Sequence, residues 1–215
     1  ELTSAYSTIA AQGIRAEPIM IKSIVDGNGT VLESYQPDPK EALDRTTAYL
    51  LTTLLRSVVE EGTGRGAKAL NKPVAGKTGT TNNYVDAWFV GFTPSITTGV
   101  WVGYDNAAAS LGDRETGARA ALPIWIGVMA RALADKPAEE FPMPEDVVTV
   151  KIDPESGLLA RDDQPDAILD YFRRGTEPTQ YADSKKGPKA SQFYLLDQGG
   201  DVIPKKKLPV EEATD

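Results

Sequence analysis

The 215-residue sequence contains no histidine and no cysteine. The first absence excludes Ser-His-Asp catalysis, Cys-His catalysis and histidine-ligated metal within this chain. The second excludes disulfides, thiolate nucleophiles and Cys-ligated zinc or iron–sulfur sites. Cysteine-free chains occur in every compartment, so redox chemistry gives no address. Positive charge is in deficit, with 23 Lys and Arg against 31 Asp and Glu and a net charge of -8. That balance offers no basic surplus for nucleic acid. The deficit is uneven: residues 1–134 carry 12 basic and 13 acidic groups, whereas residues 135–215 carry 11 and 18. The negative charge therefore belongs to the C-terminal part and says nothing about a site in the body. Long hydrophobic runs are also lacking. The longest uncharged stretch, Ala87 to Tyr104, holds Pro94, four Thr or Ser residues and three Gly. It reads as two strands and a turn, not as a membrane span. No signal-peptide pattern opens the sequence, which begins at Glu1 without a Met, and we expect a processed or excised piece.

What is present is enough for a core, since 40% of the residues are hydrophobic. Leu2, Tyr6, Ile9 and Ala10 recur at helical spacing, with Gly13 as a C-terminal stop. This helix is under way at Glu1 with no capping run before it, so the chain is expected to open inside a domain. Pro18 to Asp26 and Val31 to Tyr35 read as extended runs, and the turn Asp26-Gly27-Asn28-Gly29 makes them a hairpin. Asp44 is placed to cap a helix from Arg45 to Glu61. Its periodic positions are Tyr49, Leu50, Thr53, Leu54, Val58 and Glu61, and Gly62 ends it. Pro73 to Thr81, Ala87 to Phe92 and Thr97 to Tyr104 read as strands, the last two joined through Thr93-Pro94-Ser95. Leu122 to Leu133 reads as a buried helix with Pro123 in its first turn, where a missing N–H costs little. Short turns between strands favour antiparallel neighbours, and the fold class is α/β in the α+β sense.

After Ala134 the character changes, and nine of the 15 prolines lie there. Val147 to Ile152 reads as a strand and Asp153-Pro154-Glu155-Ser156-Gly157 as a turn. From Asp183 the sequence is charged and Lys-rich with no amphipathic period, so residues 180–215 are expected to form a flexible tail.

Three glycine-containing stretches compete for a chemical role. Gly62 to Ala67 fits a loose G-x-G-x-x-A dinucleotide pattern, but that pattern needs a strand before it, and a helix precedes it here. A flexible loop after a helix stop is the plainer account. Asn71 to Thr78 nearly fits a phosphate-binding loop. Its first glycine is replaced by Asn71, and Gly79-Thr80-Thr81-Asn82-Asn83 is poor material for the helix that must follow. The third possibility is a strand carrying Lys77-Thr78-Gly79-Thr80. Lys77 supplies positive charge, and the Thr78 hydroxyl suits a substrate carboxylate. Gly79 admits another chain close to the backbone, and the Thr80 N–H suits a developing oxyanion. Alternation puts Lys77 and Thr78 on opposite faces. Both can serve one site only if the strand is an edge with the site along its rim. Bland roles fit the other prominent residues. Trp88, Trp101 and Trp125 are expected in the core, Asp86 is expected to order the turn beside Asn82 and Asn83, and Arg65 and Lys68 read as solvated loop charges.

Val74-Ala-Gly-Lys-Thr-Gly-Thr-Thr-Asn82, Asp86-Ala-Trp-Phe-Val-Gly-Phe-Thr-Pro94 and Val100-Trp-Val-Gly-Tyr-Asp105 together resemble class A penicillin-binding proteins. So do Glu1 to Tyr6, Gly62 to Arg65, Ala120 to Trp125 and Gly175 to Thr179. The resemblance runs from Glu1 to about Thr179, which gives a domain estimate of residues 1–179 with a tail at 180–215. It implies a penicillin-binding, serine β-lactamase-like transpeptidase fold, present here as its C-terminal half. It also implies D,D-transpeptidase chemistry on peptidoglycan stem peptides. In that chemistry a serine attacks a D-Ala–D-Ala bond, releases the last D-Ala and passes the acyl group to an amine of another strand. β-Lactams trap the acyl-enzyme. By the resemblance, Lys77 and the Thr80 N–H are catalytic, Thr78, Gly79, Thr80 and Thr81 bind substrate, and no metal or cofactor is implied. In the family a glycosyltransferase domain and a membrane anchor precede this domain, on the outer face of the cytoplasmic membrane.

One departure is large. No Ser-x-x-Lys and no Ser-x-Asn occurs in the sequence. Tyr104-Asp105-Asn106 fits a Tyr-x-Asn variant but follows the Lys-Thr-Gly strand instead of preceding it, so Tyr104 is taken as a strand end. The nucleophile and its lysine are expected upstream of Glu1, in the N-terminal part of the same protein, and this chain alone is expected to be inactive. The rival account is a non-catalytic module of the same fold that binds peptidoglycan or a partner.

Overall fold

The computed structural model describes residues 1–106 and 109–182, together with the backbone of residues 195–196 and 202–203. The chain divides into two compact units, Glu1–Val147 and Val148–Asp215.

In the first unit, helix α1 (Leu2–Ala10) ends where Gly13, at φ 93°, donates its N–H to Thr8 O at 2.8 Å. A side chain is excluded at Gly13 by the Leu43 backbone as well as by the positive φ. Strand β1 (Ile14–Arg15) follows, then the hairpin of β2 (Ser23–Val25) and β3 (Val31–Ser34), antiparallel as expected. Asp26 closes the hairpin turn by accepting the N–H groups of Asn28 and Thr30 at 2.8 and 2.9 Å. The first extended run is shorter than the sequence implied. Strand β4 (Lys40–Glu41) returns to pair with β1, a pairing with no local signal.

Helix α2 (Arg45–Glu60) is capped as anticipated, with Asp44 accepting from Thr47 N, a contact worth about 1 kcal/mol. Its buried side is Thr46, Ala48, Tyr49, Thr52 and Val59. Leu54, read as part of the apolar stripe, is 64% exposed. The stripe is rotated because small and hydroxylated side chains let the neighbouring elements approach, with Thr52 satisfying its hydroxyl on Ala48 O. The Gly62 to Ala67 segment is ordered, not a loose loop. A 3-10 turn spans Arg65–Leu70, and Ala67 is fully buried. Arg65 and Lys68 are exposed, as solvated charges should be.

Three strands then form one antiparallel sheet in the order β5 (Ala75–Thr80), β6 (Asp86–Phe92), β7 (Thr97–Gly103). A π-helical turn at Gly117–Ala121 leads into α3 (Leu122–Ala132), with Pro123 at its start. Leu122, Trp125, Met129 and Leu133 are buried at three- and four-residue steps, whereas Ile124 and Val128 are exposed, so only one stripe of this helix is covered. Trp125 stacks edge-on against Phe89 at 5.0 Å and donates its indole N–H to Thr98 O at 3.0 Å. On the opposite face, α1 brings Tyr6 edge-on to Phe92 at 6.5 Å. Helices on both faces of the sheet confirm the α+β class, and truncating a core aromatic such as Trp125 or Phe89 would cost about 3–5 kcal/mol.

In the second unit, β8 (Val147–Ile152) appears as expected and pairs with β9 (Ile168–Arg173), a strand the sequence had not revealed. The turn at Asp153 also forms, closed by Gly157 N–H to Asp153 O at 2.8 Å. Leu159 bridges to both Ile152 and Tyr181. Two short strands, β10 (Leu195–Leu196) and β11 (Val202–Ile203), pair antiparallel. The rest of the segment read as a flexible tail lies outside the described residues.

Candidate active site

Among the described residues β5 pairs with β6 and has no neighbour on its other side, so the edge-strand condition is met. Thr81 N–H donates to Asp86 O at 3.0 Å. In an antiparallel ladder, residues alternate between bonding inward and facing outward. With the register Lys77↔Val90 and Gly79↔Trp88, Lys77 and Gly79 bond toward β6. The backbone N–H and C=O groups of Thr78 and Thr80 then point to the open rim. The Lys77 ammonium curls back to that rim and donates to Thr78 O at 3.0 Å. A side chain that starts on the opposite face from Thr78 thus ends beside it.

Thr78 and Thr80 share the face that packs toward α3. The Thr78 hydroxyl lies 2.6 Å from the hydroxyl of Thr63, in the loop after α2. The Thr80 hydroxyl accepts the Gly117 N–H at 3.1 Å. Gly79 has a second reason to lack a side chain, since a Cβ there would sit 3.1 Å from the Cβ of Trp88. Thr81 is engaged in the turn: its Oγ1 accepts the Asp86 N–H at 2.8 Å and lies 3.3 Å from Asp86 Oδ2. The rim therefore presents one ammonium and the outward Thr80 N–H, with the Thr78 and Thr80 hydroxyls on the adjoining face, a set of polar groups suited to an anion.

The competing motifs do not assemble. Residues Gly62–Ala67 follow a helix and enter a 3-10 turn, and Lys77-Thr78 lies within a strand instead of opening a helix. Among the described residues no group of three or more acidic side chains could hold a metal ion, and no helix is long and apolar enough to cross a membrane. Tyr104 stands just past the end of β7, as taken from its position. Trp125 is core, but Trp101 is 43% exposed and not the core residue expected, because no described element covers its end of β7. Asp86 does order the turn, though through Thr81 and Trp101 and not through Asn82 or Asn83. Thr63 and Gly117 were missed. Thr63 lies inside the Gly62 to Arg65 stretch that carries part of the resemblance, but nothing local ties it to a strand 15 residues on.

A three-stranded antiparallel sheet edged by a Lys-Thr-Gly strand and covered by helices on both faces is a penicillin-binding transpeptidase fold in part. Comparison with known proteins agrees. Residues 1–128 match the model of the penicillin binding protein transpeptidase domain, and residues 143–186 that of the penicillin-binding protein 1A C-terminal domain. The chain belongs to the penicillin-binding protein transpeptidase family. It is 46% identical over 178 residues to penicillin-binding protein 1A of Aquifex aeolicus, covering 83% of this chain and 24% of that protein. The crystal structure of penicillin-binding protein 1A from Haemophilus influenzae superposes with a TM-score of 0.77 at 28% identity, over 84% of this chain and 32% of that one. The imipenem acyl-enzyme complex of penicillin-binding protein A from M. tuberculosis is similar at a TM-score of 0.50 and 27% identity, over 61% of this chain and 30% of that one. The chain thus spans about a quarter of the length of the curated relative.

Proposed function

We propose that this chain supplies the Lys-Thr-Gly wall of a peptidoglycan D,D-transpeptidase. Its serine nucleophile and partner lysine come from residues upstream of Glu1 in a longer protein. The observation that carries this reading is the rim of β5, where the Lys77 ammonium reaches Thr78 O at 3.0 Å beside the Thr78 hydroxyl. A stem peptide ending in D-Ala–D-Ala presents a carboxylate, and so does a β-lactam. An ammonium and neighbouring hydroxyls match that anion with charge-assisted hydrogen bonds. The outward Thr80 N–H is oriented to help hold the oxyanion formed when the serine attacks. The Lys77 charge also disfavours a second ammonium nearby, which keeps the upstream lysine neutral and basic. The relative trapped as an imipenem acyl-enzyme supports β-lactams as ligands here. The family supports a working place on the outer face of the cytoplasmic membrane, through an anchor in the upstream part.

The fragment alone is inactive on this reading. It lacks a Ser-x-x-Lys, and it exposes apolar side chains such as Met20, Leu32, Ile124 and Val128, which favour association when left uncovered. The test is covalent labelling with fluorescent penicillin. The full-length protein should label in a manner competed by unlabelled drug, and the isolated chain should not. A folded full-length protein that takes no label would favour the binding module without turnover. Labelling of the isolated chain would mean that the nucleophile lies within it.

A further inference from the structure

The Gly62-Thr63-Gly64 loop lies outside β5 and its rim, yet it brings the Thr63 hydroxyl to 2.6 Å from that of Thr78. Two hydroxyls at this distance share one proton, so one donates and the other accepts. If Thr78 donates to a substrate carboxylate, its oxygen remains as the acceptor and Thr63 must be the donor. The geometry points to Thr63 as a positioning residue for acylation: its O–H donates to Thr78 Oγ1 and thereby turns the Thr78 proton outward, to the carboxylate. The inference rests on the proposed function of the β5 rim.

Thr80, two residues along on the same face, is backed in the same way. The Gly117 N–H donates to Thr80 Oγ1 at 3.1 Å, and a backbone N–H can only donate. The Thr80 hydroxyl is thus held from behind as an acceptor, with its own proton left to point elsewhere. Both hydroxyls of the strand therefore have a polar group behind them. A hydroxyl that accepts one bond donates a stronger one, because bonds in a chain polarise each other.

The Thr63 loop is held firmly enough to do this. Gly64 N–H donates to Val58 O at 2.9 Å, and Gly64 O accepts from Ala67 N–H at 2.9 Å. A Cβ at Gly64 would already meet Val59 Cγ2 at 3.3 Å and Phe89 Cε2 at 3.5 Å, so the loop lies tight against the core. A preorganised donor of this kind costs nothing to reorient when substrate arrives.

The test compares second-order acylation rates of the full-length protein for a penicillin and for its carboxyl methyl ester. Wild type, Thr63→Val, Thr63→Ser and Thr78→Val are measured, with melting temperatures as the folding control. Thr63→Val should slow acylation by the free acid about tenfold. It should leave the rate with the ester within about twofold, since the ester lacks the anion that Thr78 serves. Thr63→Ser should restore the rate with the acid to within about threefold of wild type. If Thr63→Val melts early, Thr63→Ala replaces it and carries the same expectation. Equal slowing with acid and ester would make Thr63 merely structural and overturn the inference. So would Thr78→Val slowing the acid while Thr63→Val does not. If Thr78→Val itself changes nothing, the anchoring role of the rim falls, and this inference falls with it.

Discussion

The indole N–H of Trp101 donates to Asp86 Oδ1 at 2.8 Å. That bond ties β7 to the first residue of β6, and Asp86 N–H in turn holds the Thr81 hydroxyl at 2.8 Å. The carboxylate adds a longer contact, its Oδ2 accepting the Thr81 O–H at 3.3 Å, so the Asp86 backbone and side chain together hold the turn that leaves the Lys-Thr-Gly strand. Asp86→Ala should destabilise the full-length protein by about 1–3 kcal/mol, the range for removing a hydrogen-bonded charged partner. Asp86→Asn keeps an acceptor and should cost less. Thermal melting of the two variants checks this, and equal melting temperatures for wild type and Asp86→Ala would count against it.

Gly117 lies flat over the end of β5. A Cβ there would fall 2.6 Å from Gly79 O and would also collide with Trp88 O, both backbone atoms. Gly117→Ala should push the π-helical turn off the strand and break the bond to the Thr80 hydroxyl, costing about 1–3 kcal/mol as overpacking does. Melting and acylation should fall together. A Gly117→Ala protein with wild-type melting temperature would show that the turn yields freely.

Much of this architecture was legible locally. The Asp26 to Gly29 turn, the Asp44 cap, Pro94 between two apolar runs and Pro123 opening α3 each carry their own backbone chemistry, and each is found where its residues put it. What could not be read depends on what covers a surface. Leu54 and Trp101 look like core by residue type, but no described element covers them fully. The β1–β4 pair joins Ile14 to Glu41, and the Thr63–Thr78 contact is likewise made by chain return, which no short pattern encodes. The Lys77 problem was posed correctly by strand alternation. Its answer, a side chain bending to the rim, depends on the rotamers of the Lys77 stem, which no residue spacing encodes.

The Asp153 carboxyl is held below its ordinary value of 3.8, first by the Ser156 hydroxyl and then by Gln164 and the Ser156 N–H. A carboxyl lowered in the folded state contributes stability fully above its unfolded value, and loses it as pH falls through the lowered folded value. The Asp153 turn should therefore still be closed at the ordinary value of 3.8 and open only as pH falls below it, through the lowered folded value. A carboxyl carbon titration by NMR, followed with the exchange of the Ser156 amide, reads this directly. A midpoint at or above the ordinary value would contradict it.

We further propose that the segment after Ala182 is dispensable for acylation. Its sequence is rich in Lys and Asp with no period that would bury a face. The cut belongs after Ala182 and not at Thr179, because Tyr181 bridges to Leu159 and Ala182 N–H donates to Leu159 O at 2.9 Å. Truncation there should leave the acylation rate within about threefold. A tenfold loss, ~1.4 kcal/mol of barrier, would show that the tail supports the site.

The central claim is that the β5 rim is the anion-binding wall of an acylation site. Its most direct test is the second-order rate of β-lactam acylation for the full-length protein carrying Lys77→Ala, with the melting temperature as control. The account predicts a loss on the order of a hundredfold, ~2.7 kcal/mol of barrier, in a protein that melts normally, with only partial rescue by Lys77→Arg because a planar fork does not replace a compact ammonium. A normally folded Lys77→Ala protein that acylates within about threefold of wild type, under ~0.7 kcal/mol, would contradict it and leave β5 as scaffold alone.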